Sequence, residues 1–181
     1  ISDEDVIAQL AQNHGIVLNT TGPTTQHENL VQYKCSDWDF VVNRVESNGQ
    51  MLVCQDRDLK IILPEVLDSA DLAVQFGATI LGFEAELDGR LQEENLSTHG
   101  WNYQDQEKTS AISFLGDLAT AGNLASPDLG NQLLLAEENS FYPAVSTQQE
   151  LDALAAAEQK RRRLSKIRAS VAIVGSAICT P

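Results

Sequence analysis

The feature that most constrains this sequence is an internal repeat. Ser2-Asp3-Glu4-Asp5-Val6-Ile7 returns 34 positions later as Ser36-Asp37-Trp38-Asp39-Phe40-Val41, after which Gly15 matches Gly49 and Leu18 matches Leu52. A serine three residues ahead of an acid is a capping-box variant: the hydroxyl and the carboxylate each take up a free amide at the start of a helix. The further acids of each first turn complement the positive end of the helix dipole. Val6, Ile7, Leu10 and Ala11 then recur at helical spacing, as do Trp38, Val41, Val42 and Val45. Gly15 and Gly49 stand where a left-handed residue ends a helix. Short β-like runs follow at 16–18 and 51–54. Each copy therefore predicts helix, glycine stop and strand, which is not the unit of a helical solenoid. The polar residues 55–58 and the apolar run 59–63, closed by Pro64, predict a hairpin. Residues 1–66 are expected to form one α+β unit.

The middle of the chain is β-like. One short strand is expected at 72–76. Between 80 and 87, Leu81, Phe83, Ala85 and Leu87 alternate with Glu84 and Glu86, which predicts a strand with one apolar face. Asp88-Gly89 suits a tight turn into a partner strand at 96–103, so 67–115 reads as an antiparallel β segment. From 104 to 146 the residues shift towards Ala, Gly, Asn, Ser, Asp and Leu, with Gly116, Gly122, Pro127, Gly130 and Pro143 interrupting. Loops and one or two short helices are expected there, with 116–146 a loop-rich connector. Thr147-Gln148-Gln149-Glu150 is another capping box. It opens a helix to about residue 167, with Leu151, Leu154, Ala155, Leu164 and Ile167 apolar. Residues 168–179 read as a strand, so 147–181 is a helix plus the first strand of a truncated β domain. A chain that starts at Ile1 and stops at Pro181, just after that run, is expected to be part of a longer protein. The fold class expected is α+β, with small helix-on-strand units and antiparallel β-barrel-like domains, the last one incomplete.

Charge narrows the function classes. The net charge is −14, and the first 150 residues carry 24 acids against six Lys and Arg. Such a surface repels phosphate backbones, so nucleic acid is not expected as a partner. The other six cations lie between Lys160 and Arg168, where Lys160-Arg161-Arg162-Arg163 read as a solvated face near a helix C-terminus. No apolar run approaches the ~18 residues of a membrane helix, so stable membrane insertion is not expected. Cys35, Cys54 and Cys179 are odd in number and lack C-x-x-C spacing, and are expected as small apolar core residues in a reducing compartment. Asn19 and Asn95 open N-x-S/T sequons, which chance explains as well as glycosylation does.

The search for chemistry returns little. His14, His27 and His99 are far apart and none has a second ligand at i+3 or i+4, so no metal site is expected. The Asp3/Asp5 and Asp37/Asp39 pairs resemble metal-binding pairs but are better explained as helix starts. Glu84 and Glu86 share one strand face, where exposed carboxylates are the ordinary case. There is no Gly-rich phosphate loop and no nucleophile elbow. No catalytic, cofactor or metal residue is predicted, and the chain is not expected to be an enzyme. Trp101 and Tyr103 project to one side of a predicted strand and could make the stacking platform of a monomeric surface or extracellular binding module.

One run is more specific. Residues 30–42, Leu-Val-Gln-Tyr-Lys-Cys-Ser-Asp-Trp-Asp-Phe-Val-Val, followed by Asn48-Gly49 and Met51-Leu52-Val53, resemble the hub segment of VgrG-type and phage late-control proteins. Residues 83–88, then Gly100-Trp101-Asn102 with Gln104, and finally 166–171 resemble later phrases of that family in the same order. Thr180-Pro181 stops just short of its usual turn, and the family's neck and spike repeats are absent. The resemblance implies a structural hub of a contractile injection apparatus, joining inner tube to spike. It implies a homotrimer in the intact protein, with tail tube ring and spike-tip proteins as partners. It also implies assembly in the cytoplasm and export as part of the particle.

Overall fold

In the computed structural model, which describes residues 1–20, 25–55, 58–64, 72–114, 123–135, 137–142 and 147–175, both copies of the repeat form what their caps dictate. Helix α1 (Asp3–Asn13) starts at Ser2, whose hydroxyl accepts the Asp5 amide while the Asp5 carboxylate accepts the Ser2 amide. Helix α2 (Asp37–Ser47) starts at Ser36, whose hydroxyl accepts the Asp39 amide and donates to the Asp39 carboxylate. Strand β1 (Val17–Thr20) follows the first helix and β2 (Met51–Gln55) the second. Strand β3 (Asp58–Ile62) pairs antiparallel with β2 and parallel with β1, giving the order β1-β3-β2. Ile7, Val41, Val45 and Ile61 form the core here, with Leu10, Leu18 and Leu52 packed against it. Trp38, expected on the buried stripe, is 53% exposed, because α2 turns Phe40 inward in its first turn instead.

Gly15 and Gly49 follow their helices at φ +67° and +68°, a region that costs a side chain about 1–2 kcal/mol. They differ in surroundings. A Cβ at Gly15 would meet nothing, whereas one at Gly49 would lie 3.2 Å from both Cα and Cβ of Ala157. We expect Gly15→Ala to cost only the backbone strain. Gly49→Ala should cost about 1 kcal/mol more, since close-packed sites resist added methyl groups. Urea midpoints of the two variants check this, and equal losses would contradict it.

The second half is built from β4 (Ile80–Leu87), β5 (Asn95–Asn102), β6 (Glu107–Phe114), helix α3 (Ser126–Gln132), β7 (Glu138–Tyr142), helix α4 (Gln148–Leu164) and β8 (Ile167–Ile173). β5 pairs antiparallel with β6 and parallel with β7. Helix α4, capped by Thr147 on the Glu150 amide, covers one face of this sheet. Leu151 and Ala155 of α4 pack there on Ala111, with Tyr142 and Leu154 beside them. β4 pairs antiparallel with β8, and these two strands form a ribbon of their own. The result is a mixed α+β fold with several sheets, none of which closes on itself among the described residues.

Several expectations are corrected. The hairpin through Asp88-Gly89 does not form. The Asp88 amide donates to the Lys166 carbonyl at 2.8 Å, its carboxylate accepts the Arg90 amide and guanidinium, and Gly89 lies tight against Leu129 and Leu133. Residues 72–76 are not a strand: Phe76 makes one isolated bridge to Ile80. β6 and β7 lie where loops were expected, and α4 stops at Leu164, so that Ile167 opens β8. Gly116, Gly122, Pro143, Cys179, Thr180 and Pro181 lie outside the described residues.

Candidate interaction surface

Among the described residues, the main buried ionic groups of this fold meet at two joints. At the first joint, Asp3 of α1 is fully buried. Arg44 of α2 donates to it through Nε at 2.6 Å and Nη2 at 3.1 Å, and Asn48 Nδ2 donates at 2.7 Å. His27 Nε2 lies 3.1 Å from Asp3 and 2.9 Å from Arg44 Nη2, and Glu150 of α4 approaches both the imidazole and the guanidinium. Asn48 also accepts the Thr25 amide and hydroxyl, which straps residues 25–27 onto α2. Burial works to raise the Asp3 pKa, but the hydrogen bonds from Arg44 and Asn48, the Arg44 charge and His27 together hold it below the ordinary value. His27, expected in a polar loop, is thus part of a buried junction between α1, α2 and α4.

At the second joint the basic cluster turns inward. Arg162 and Arg163 are buried, with Lys166 just beyond them, which corrects the solvated face expected from the sequence at those two positions, while Arg161 is exposed as expected. Arg162 donates through both Nη atoms to Glu138 of β7 at 2.8 and 3.0 Å, through Nη1 to buried Glu93, and through Nε to Glu158 at 3.0 Å. Burial opposes its charge, but these three carboxylates more than offset that and raise its pKa. Arg163 reaches the carbonyls of Glu93 and Glu94, and Gln92 donates back to the Arg162 carbonyl at 2.6 Å. Buried cations survive where geometry and counter-charge are this complete.

What remains open is apolar. In the β4–β8 ribbon, Phe83, Ala85 and Leu87 stand opposite Val171, Ala169 and Ile167, with Leu81 beside the bulge. Every residue of β4 after Ile80 and every residue of β8 before Ile173 is exposed, so the described residues cover neither face of the ribbon. The opposite face carries Glu84 and Glu86, with Arg168 across from Glu86. On the β6-β5-β7 sheet, the face away from α4 presents Trp101, Ile112, Phe114 and Phe141, all exposed. Among them His99 is held by Ser110 Oγ at 3.0 Å and Asn139 Oδ1 at 2.9 Å. Tyr103 lies past the end of β5.

The remaining residues singled out by sequence do not converge. His14 Nε2 meets Asp37 Oδ2 at 2.9 Å between the end of α1 and the start of α2, and with Gln32 holds the Asp37 pKa low. His14, His27 and His99 stay apart. Among the described residues no group of three His, Cys, Asp or Glu side chains is placed to hold a metal. Cys35 is half-buried and Cys54 exposed, so Cys54 is not the core residue expected. No helix of the described residues is long and apolar enough to cross a membrane.

The whole chain, residues 1–181, matches the family model described as the Alg8 N-terminal domain. No curated protein matches. Among solved structures, a tail protein from Neisseria meningitidis MC58 matches at 11% identity and TM-score 0.58, covering 94% of this chain and 50% of that one. The 43 kDa tail protein of prophage MuSo2 from Shewanella oneidensis matches at 10% identity and TM-score 0.62, over 96% and 50%. Prophage tail protein gp18 from Listeria monocytogenes EGD-e matches at 12% identity and TM-score 0.55, over 91% and 47%. The chain therefore spans about half the length of these structures, and at such identities the likeness shows the fold alone.

The family match corrects the assignment made from sequence phrases. Those phrases have local causes: 36–42 is a capped first turn with its apolar stripe, and 83–88 and 166–171 are largely the two strands of the ribbon. The family reached is the Alg8 N-terminal domain in place of the VgrG-type and late-control family. The conclusions drawn through that resemblance are corrected with it: the hub of an injection apparatus, the homotrimer with tube and spike partners, and the exported particle. So are the alternative of a surface binding module and the statement that the chain is no enzyme.

Proposed function

The chain belongs to the Alg8 N-terminal domain family, and from that premise we propose that it is a docking domain whose β4–β8 ribbon is completed into a larger sheet by further strands. Those strands come from polypeptide outside the half of the solved structures that this chain spans. The observation that carries the reading is the ribbon itself: two strands, uncovered on both sides, with Leu81, Phe83, Leu87, Ile167 and Val171 exposed. A lone two-stranded pair is marginal in water, and each large apolar side chain left exposed forgoes about 1.5–3 kcal/mol of burial. Added strands would pair with the outer edges of the ribbon and curl the sheet towards the barrel-like closure expected from the sequence, which encloses the apolar face. Within this reading, residues 1–66 are one unit bound to α4. Segments 67–115 and 147–181 each lend a strand to the ribbon, and 116–146 connects them.

Amide hydrogen exchange tests the proposal. Residues 80–87 and 167–173 should exchange rapidly in the 181-residue chain alone. In the assembly purified from source cells through a tag on this chain, they should exchange at least tenfold more slowly. Equal exchange in the two samples would sink the proposal.

A further inference from the structure

Helices α1 and α2 part over β3 and leave an open groove of about 390 Å³. Its walls are Leu10, Ala11, Ile16, Trp38 and Val41, with Leu59 at the floor. These are side chains that a sheet-packed helix pair would ordinarily close over. Here the pair is tied at one end by the His14–Asp37 contact and at the other by the Arg44–Asp3 junction, and the groove opens between these ties. Trp38 stands half out of the groove, a large rigid aromatic of the kind that anchors interfaces. No Lys or Arg is among the described residues that line the groove, and Asp37 stands at its rim.

We propose that this groove binds one amphipathic helix of a partner protein, apolar side inward and flanked by Lys or Arg. Two features select that occupant. Most of the walls are side chains of α1 and α2, so they offer knobs-and-holes packing to residues at i, i+3, i+4 and i+7 of a third helix. The rim is acidic in a chain of net charge −14, so a basic flank gains attraction and an acidic one is repelled. The hydrogen bonds from His14 and Gln32 to Asp37 keep its carboxylate ionised at neutral pH. This surface lies apart from the β4–β8 ribbon, so its test stands or falls separately.

A displayed library of random 16-residue peptides, selected on the full chain, provides the probe. Enriched peptides should carry aliphatic or aromatic residues at helical spacing with net positive charge. As synthetic peptides they should change Trp38 emission in a Trp101→Phe chain. Leu10→Lys and Asp37→Lys should each weaken binding at least tenfold while far-UV dichroism stays unchanged, and Trp38→Ala should do the same by calorimetry. No enrichment, enrichment of acidic or extended sequences, or binders indifferent to all three variants would each overturn the proposal. Should Asp37→Lys perturb the fold, the comparison of Lys-flanked with Glu-flanked versions of one enriched peptide replaces it, and equal affinity for the two would also overturn it.

Discussion

Arg162→Met should be the most damaging single substitution in this protein, costing about 3–5 kcal/mol. The loss follows from what it leaves behind. Glu93 is buried with Arg162 as its counter-charge, and Glu138 and Glu158 converge on the same guanidinium. Without it, three carboxylates face one space and one of them has no access to water. A domain of this size holds only about 5–15 kcal/mol in total, so the urea midpoint should fall by about a fifth or more. Removing the stranded acid as well should reverse much of that: Arg162→Met with Glu93→Leu should recover at least half the loss, because Glu138 is partly exposed and can turn to solvent. A single variant losing less than 1 kcal/mol would show that the network is not what holds α4 to β7.

The second large effect lies at the other joint and carries a pH signature. In the native chain the folded Asp3 pKa is below its ordinary value of 3.8, so its contribution is fully present above that value and is lost as pH falls through the folded value. Arg44→Met removes the main cause of the depression and leaves burial opposed only by the Asn48 and His27 hydrogen bonds, which moves the pKa of the same carboxyl upward from its native value. The cost of the substitution is therefore greatest where Asp3 is ionised and shrinks as pH falls through the variant's higher folded value. We expect a cost of about 3 kcal/mol at pH 7 that shrinks on acidification towards pH 4. Urea unfolding of both proteins at pH 7, 5 and 4 measures it. A difference that stays constant across the series would mean that Asp3 is not the group left uncompensated.

Both joints illustrate what the sequence disclosed and what it did not. The helices were legible because their causes are local: Ser2, Ser36 and Thr147 cap within three residues, and Gly15 and Gly49 stop their helices one residue after the cap. The strand at 80–87 was legible from its alternation. Its partner was not, since β8 pairs with it from the other end of the chain and Asp88, which looked like a turn, is held by Arg90 and the Lys166 carbonyl. β6 and β7 were missed because their outer faces mix Lys108, Ser110 and Asn139 with Ile112, Phe114 and Phe141, which blurs the alternation. The run of cations at 160–163 looked solvated because its counter-charges, Glu93 and Glu138, lie far away in sequence. The interaction surface was half visible: alternation revealed an apolar face on β4, but only the tertiary arrangement shows that nothing in the described chain covers it.

The pairing of residue 87 with residue 167 has a consequence for the order in which this protein is made. The ribbon cannot begin to zip until β8 has left the ribosome, by which time the 1–64 unit and the β6-β5-β7 sheet have their sequences complete. A contact of such long sequence separation closes late, after the local helices and the β2–β3 hairpin. The most adhesive surface of the molecule is therefore its last to form. During synthesis the two strands of the ribbon remain single and unaligned, and its paired apolar surface exists only in chains whose β8 has been made.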